Sequence, residues 1–325
     1  MTDETALTSR KQLGRIGLES LPSIIIQAGE RAGRRFIEFF TANIRNKNTR
    51  LAYARAVSQF FDWCDARGLQ LETIEPVVVA AYIEELQKSL AAPSVKQNLA
   101  AIRMLFDWLV VGQVVPINPA SSVRGPRHVV KRGKTPVLTA DQARKLLDSI
   151  DTTTIVGLRD RALIGVMVYS FARVGAVVAM RVEDYFQSGK RWHVRLHEKG
   201  GKRHEVPAHH NAEAYLDAYI EAAGIGQDKK SPLFHSVDRH RRFSERPLHR
   251  LDVLRMIKRR AKAAGLPQTT CCHTFRATGI TAYLENGGTI EKAQAIAAHE
   301  SPRTTKLYDR TSDEITLDEV ERIAI

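Results

Sequence analysis

Cysteine is scarce in this chain of 325 residues: it has three, Cys64, Cys271 and Cys272. Two of them are sequence neighbours that rarely pair, which excludes a disulfide-stapled scaffold. Long hydrophobic runs are missing as well. The longest nearly apolar stretch, ALIGVMVYSFA from Ala162 to Ala172, is roughly half what a bilayer span needs and reads as a buried helix. The N-terminus MTDETALTSRKQLGR places acids before bases with no apolar core behind them, which argues against a secretory signal. The charge in short supply is negative: 36 Asp and Glu face 49 Lys and Arg, a formal net charge of +13. Such an excess points to a polyanionic partner, and DNA or RNA fits better than a membrane because no basic amphipathic anchor is evident. The ordinary alternative is a solvated basic surface. A cytoplasmic, nucleoid-associated protein is expected.

The length exceeds what one hydrophobic core usually supports, so two domains are expected. From Ser23 to about Ile117 the periodicity is helical. SIIIQAGERAGRRFIEFF spaces Ile25, Ala28, Ala32, Phe36 and Phe39 or Phe40 as one helix. A second carries Tyr53, Val57, Phe60 and Phe61 after a Thr49 cap and before Gly68. A third runs from about Glu75 to Leu90. A fourth, from Ser94 to about Val111, carries Leu99, Ile102, Leu105 and Trp108, completing a small bundle. VRGPRHVVKRGKTP, residues 123–136, has five basic residues, two prolines, two glycines and no acid. It reads as a linker that can lie along an anionic backbone through Arg124, Arg127, Lys131, Arg132 and Lys134. Thr139 followed by Gln142 is a capping-box signature opening a second, mixed domain. There RWHVRLHEK and RHEVPAH alternate around KGGK as a hairpin, and helices resume near Asn211, from His249 to Ala264, and from Thr274 onward. The fold class is mainly α with a small β-hairpin or sheet (α+β). Its domains are an N-terminal extension (1–22), a helical unit (23–122), the linker, a mixed unit (137–311) and a tail (312–325).

Several residues of the mixed unit invite a chemical reading. Arg173 in SFARVGAVVAM sits among apolar residues and needs an anionic partner, which a structural ion pair could also supply. His273 and Arg276 are three apart, hence on one helix face, where they could hold two oxygens of one phosphate. Lys199 and Lys202 occupy the hairpin turn and taken alone are ordinary turn lysines. Tyr308 follows His299 by nine residues in HESPRTTKLY and taken alone is a packing residue. Cys271, Cys272 and His273 have no second cluster at ligand spacing, so neither a metal nor another cofactor is expected. Together, two arginines, a lysine, two histidines and a tyrosine suit attack of a tyrosine hydroxyl on a phosphodiester.

The stretches ARVGAVVAMRVEDY, HEKGGKRHEVPAH, HTFRATGIT and AAHESPRTTKLYDR, in this order, resemble the tyrosine recombinases that include phage integrases and chromosome-dimer resolvases. NTRLAYARAVSQFFDW and IRMLFDWLVVGQVVPINPA are similar to that family's SAM-like core-binding domain. The resemblance implies a site-specific DNA recombinase that works without metal or ATP. Tyr308 would form a 3′-phosphotyrosyl link, Arg173 and Arg276 would clamp the phosphate, and His273 and His299 would share base and hydrogen-bonding roles. Lys199 would be the general acid, with Lys202 as the fallback for that role and otherwise a DNA contact. It further implies a dimer on each duplex site and a tetramer when two sites meet, with the apolar stripe Leu317, Val320 and Ile323 of the tail docking on a neighbouring protomer or on its own domain.

Two departures stand out. Three residues after Arg173, where the family usually has Glu or Asp, the chain has Ala176, and Glu183 or Asp184 is a candidate replacement. Ala298 stands in place of glycine before His299. A type IB topoisomerase-like strand transferase and a catalytically silent DNA-binding protein are the alternative readings.

Overall fold

The computed structural model describes residues 20–130, 133–198, 201–238, 240 and 243–309. The chain divides into two compact units, Met1–Val129 and Val130–Ile325. The described residues are mainly helical with two small antiparallel sheets. Among the described residues no helix is long and apolar enough to cross a membrane.

The first unit contains α1 (Ser23–Gln27), α2 (Glu30–Glu38) with a π-helical continuation Phe39–Asn43, α3 (Lys47–Asp65), α4 (Pro76–Ser89) and α5 (Ala92–Val111). The single helix expected from Ser23 is broken at Gly29, whose φ of 92° lies in a region that glycine alone enters easily. Asn46, rather than Thr49, caps α3: its side chain accepts from the amides of Asn48 and Thr49 at 3.0 and 3.1 Å. The helical spacing of the aromatics then explains the core, because Phe36, Phe39, Phe40, Phe60, Phe61 and Phe106 are all buried and meet edge-on or tilted.

The second unit opens with α6 (Ala140–Asp148), where Thr139 and Gln142 form the expected reciprocal cap. Then come α7 (Ile155–Tyr169), α8 (Val174–Val178), β1 (Tyr185–Ser188), β2 (Arg191–His197), β3 (Arg203–Pro207) and α9 (His210–Ala223). β4 (His235–Val237), β5 (Phe243–Pro247), α10 (Arg250–Ala263), α11 (Cys272–Glu285), α12 (Ile290–Ile296) and α13 (Pro302–Lys306) complete it. The expected hairpin is β2–β3, with Val194 opposite Val206 and His197 opposite Arg203. β1 adds a third antiparallel strand that the sequence reading did not anticipate, and β4–β5 is a separate unanticipated pair.

Helix α7 is the spine of this unit. Its residues Ala162 to Met167 are buried on every side, as the apolar run implied, and it packs against α9 and α11. Gly279 of α11 makes the second packing possible: a Cβ there would stand 2.1 Å from the Val168 carbonyl oxygen. Where α7 begins, fully buried Asp160 accepts from Arg159 at 2.7 Å and from Arg260 of α10 at 2.8 Å. Both helices are thereby held by a paired internal charge, the condition under which a buried carboxylate is tolerated. The close approach at Gly279 sets the C-terminal end of α7, at Val168, against the middle of α11.

Candidate active site

The end of α7, the start of α11 and the α12–α13 segment converge at one place. Phe171, Ala277, Ile280, Leu284, Ala293, Ala297 and Tyr308 form an apolar cluster under it. Arg276 projects from α11 and is almost wholly buried. Its guanidinium donates through Nη1 to the Phe171 carbonyl and through Nη2 to the Ala297 carbonyl at 2.7 Å, while Nε has no partner among the described residues. The two accepting turns are conformationally costly: Phe171 has φ 53° and Ala298, next to Ala297, has φ 48°. Left-handed backbone costs a non-glycine residue roughly 1–2 kcal/mol. Arg276 therefore ties together the turns that precede Arg173 and His299. The Ala298 value also gives the physical reason that glycine suits this position.

Arg173 caps α8, whose short helix begins at Val174, and its side chain is 42% exposed with Nη1 on the Glu198 carboxylate at 2.5 Å. His273 lies one turn before Arg276, and its Nε2 is 2.7 Å from the Tyr308 hydroxyl. The His299 ring lies parallel to the Tyr308 ring, with centroids 5.8 Å apart and an interplanar angle of 8°. His299 Nδ1 is 2.9 Å from the hydroxyl of fully buried Thr305. Tyr308 is 7% exposed, and its carbonyl accepts from Thr281 Oγ1 at 2.8 Å. The amide of Gly133 donates to the neighbouring carbonyl of Leu307 at 2.9 Å.

Burial and the nearby Arg276 and Arg173 charges hold both imidazoles below their ordinary range, His299 down to about 4 with a further contribution from His273. Both are thus neutral at pH 7, and a neutral ring can offer Nε2 as acceptor to the Tyr308 O–H. Burial and then the Arg173 charge also push Arg276 down to about 10. Two cationic guanidiniums, two neutral imidazoles and a phenol make a pocket suited to an anion with oxygens on several sides.

The structure therefore gathers Arg173, His273, Arg276, His299 and Tyr308. Lys199 lies outside the described residues, as do Lys131 and Arg132. Lys202 is exposed at the foot of the hairpin turn, and Arg124, Arg127 and Lys134 are exposed. The Leu317 to Ile323 stripe of the tail lies outside the described residues too. Sequence reasoning missed three contributors: Glu198, Thr305 and Thr281. Glu198 directly precedes the turn lysine, but spacing alone does not reveal that a residue at a strand end faces Arg173 across the unit.

Residues 136–314, more than half of the chain, match the phage integrase family model. The chain belongs to that family, the tyrosine recombinases. Residues 35–112 match the family's N-terminal SAM-like domain. This family member is 30% identical over 234 residues to the tyrosine recombinase XerC of Chlamydia muridarum, covering 71% of this chain and 70% of that protein. It is 29% identical over 269 residues to XerD of Listeria monocytogenes, covering 80% and 87%. Among solved structures, the fold is similar to that of the XerH recombinase in a post-cleavage complex with a palindromic difH substrate. The TM-score there is 0.69 at 17% identity, covering 95% of this chain and 86% of that one. A lambda integrase dimer bound to a core site gives a TM-score of 0.65 at 20% identity, covering 91% and 99%.

Proposed function

We propose that the chain is a site-specific DNA recombinase in which Tyr308 is the nucleophile. The observation that carries this reading is the 2.7 Å contact between the Tyr308 hydroxyl and His273 Nε2, beside the buried Arg276. In the forward step the Tyr308 oxygen attacks the scissile phosphorus and its proton passes to His273. The bond to the 5′-oxygen breaks, and that oxygen takes a proton from Lys199, with Lys202 the fallback. The products are a 3′-phosphotyrosyl link and a free 5′-hydroxyl. Attack by a 5′-hydroxyl from another strand reverses the step and regenerates Tyr308, so the phosphodiester energy is conserved and no ATP is consumed. Arg173 and Arg276 neutralise the nonbridging oxygens as charge builds, and His299 hydrogen-bonds the same phosphate. With the charge supplied by guanidiniums, the mechanism needs no metal.

The partner is double-stranded DNA with paired half-sites. Residues 23–122 act as the core-binding domain and 137–311 as the catalytic domain, and the linker 123–136 follows the backbone through Arg124, Arg127, Lys131, Arg132 and Lys134. A dimer occupies each site and a tetramer forms the synapse, with 312–325 reaching a neighbour. The setting is the cytoplasm, at the nucleoid.

The test is covalent capture. Wild type and Tyr308→Phe are each mixed in EDTA with fragmented genomic DNA, denatured, and the trapped fragments sequenced. Adducts with wild type alone, at similar DNA affinity, are expected because one hydroxyl contributes little to a phosphate-dominated interface. Adducts formed equally by Tyr308→Phe would remove Tyr308 from the role.

A further inference from the structure

Ala176 is buried in α8, at the position where an acid was expected. Neither of the sequence candidates fills the gap. Asp184 accepts from the Arg181 amide at 2.9 Å and faces His197 and Arg195, and Glu183 lies 3.8 Å from Arg181. A different carboxylate reaches Arg173. Glu198 arrives from the sheet, at the end of β2, with its side chain 5% exposed and Oε2 2.5 Å from Arg173 Nη1.

A cavity of about 460 Å³ is lined by Arg173, Ala176, His197, Glu198, Cys272 and His273 among others. Two carboxylates in this space, one at 176 and one at 198, would repel each other. The methyl group of Ala176 leaves room for one. The backbone of Glu198 is held as firmly as its side chain: its amide donates to the Lys202 carbonyl at 2.8 Å and its carbonyl accepts from Gly201 at 3.2 Å. A buried carboxylate is stable only when paired, so Glu198 and Arg173 fix one another. Burial and the Arg173 charge lower Arg276, and the Glu198 charge, after Tyr308, opposes part of that lowering.

We infer that Glu198 is a positioning residue for strand transfer. It supplies from the hairpin the carboxylate absent at 176, orients the Arg173 guanidinium toward the scissile phosphate, and directly precedes Lys199 in the sequence. This rests on the strand-transfer reading above and deepens it.

The experiment measures the rate of covalent-adduct formation and the DNA affinity on one fragment captured by the wild type. The full-length variants are Glu198→Gln, Arg173→Ala, their double, and Glu198→Gln combined with Ala176→Glu. Glu198→Gln is expected to slow adduct formation by up to about 100-fold, the scale of a misplaced reacting group, with affinity unchanged. The double is expected to be no slower than Arg173→Ala alone, because both changes act through one guanidinium. Ala176→Glu is expected to restore part of the lost rate, a rescue that a purely structural role would not produce. Wild-type rates in Glu198→Gln, a further slowing in the double, or no rescue would overturn the inference. A wild type that forms no adducts would instead overturn the reading beneath it. If Glu198→Gln melts early, the combined variant, which keeps a carboxylate beside Arg173, decides by the same rescue.

Discussion

At His299, Thr305 holds Nδ1 and the Tyr308 ring lies parallel to the imidazole, while burial first, and then the charges of Arg276, Arg173 and His273, disfavour its protonated form. Because its folded-state pKa is depressed to about 4, the unfolded chain binds a proton at His299 that the native chain refuses between the unperturbed value near 6.5 and that point. Stability is therefore complete above about pH 6.5 and falls as pH drops toward 4, with a slope of up to about 1.4 kcal/mol per unit from one such imidazole. Melting temperature followed from pH 7 to 4.5 is expected to fall less steeply in His299→Gln than in wild type, and identical slopes would contradict the assignment. His273 shifts in the same direction, so a remaining slope in the variant is expected as well. At this scale the gathering of Arg173, His273, Arg276, His299 and Tyr308 in one place was legible, because their residue types and order suggested a shared site. Glu198, Thr305 and Thr281 were not, because each acts through a tertiary contact spanning β2 to α8, α13 to His299 or α11 to Tyr308. Nothing in local spacing encodes those contacts.

Among the elements, the crossing of α7 and α11 matters most, since it sets His273 and Arg276 against the turn that carries Arg173. Gly279→Ala would drive a Cβ into the Val168 carbonyl oxygen at 2.1 Å and meet Phe171 at 2.9 Å. Backbone cannot give way as a flexible side chain does, so α11 must shift. Overpacking of this kind costs about 1–3 kcal/mol or more. The expected outcome is a lower melting temperature together with slower adduct formation. A variant that melts like wild type would show that the helices do not meet this closely. The helices and the β2–β3 hairpin were legible from apolar period and turn residues. The break at Gly29 was hidden because the apolar spacing runs on through it. β1 was hidden because its four residues follow directly on a single turn, Val182–Asp184, too short a run to establish a period. β4 pairs with β5 across a register irregularity, which removes the clean alternation that marks a strand.

Over the whole molecule, the excess of positive charge is now joined to a family whose chemistry is performed on DNA phosphates. Counterion release makes such binding steeply salt-dependent. DNA affinity measured across salt concentrations is expected to give a strongly negative log–log slope. Removing a side chain that neutralises one phosphate flattens that slope by about one, the change expected in Arg124→Ala, Arg127→Ala and Lys134→Ala tested singly. Slopes that match wild type would remove those side chains from the interface. Composition exposed the polyanionic partner, and the order of four motifs exposed the family, because both are properties of the linear chain. Strand transfer by this chain turns on one bond. Adduct trapped by the wild type, digested with nuclease and trypsin, should yield the peptide Leu307–Arg310 carrying a nucleotide 3′-phosphate on Tyr308, with a free 5′-hydroxyl on the other DNA end. A nucleotide on any other residue, or a link through a 5′-phosphate, would contradict the account.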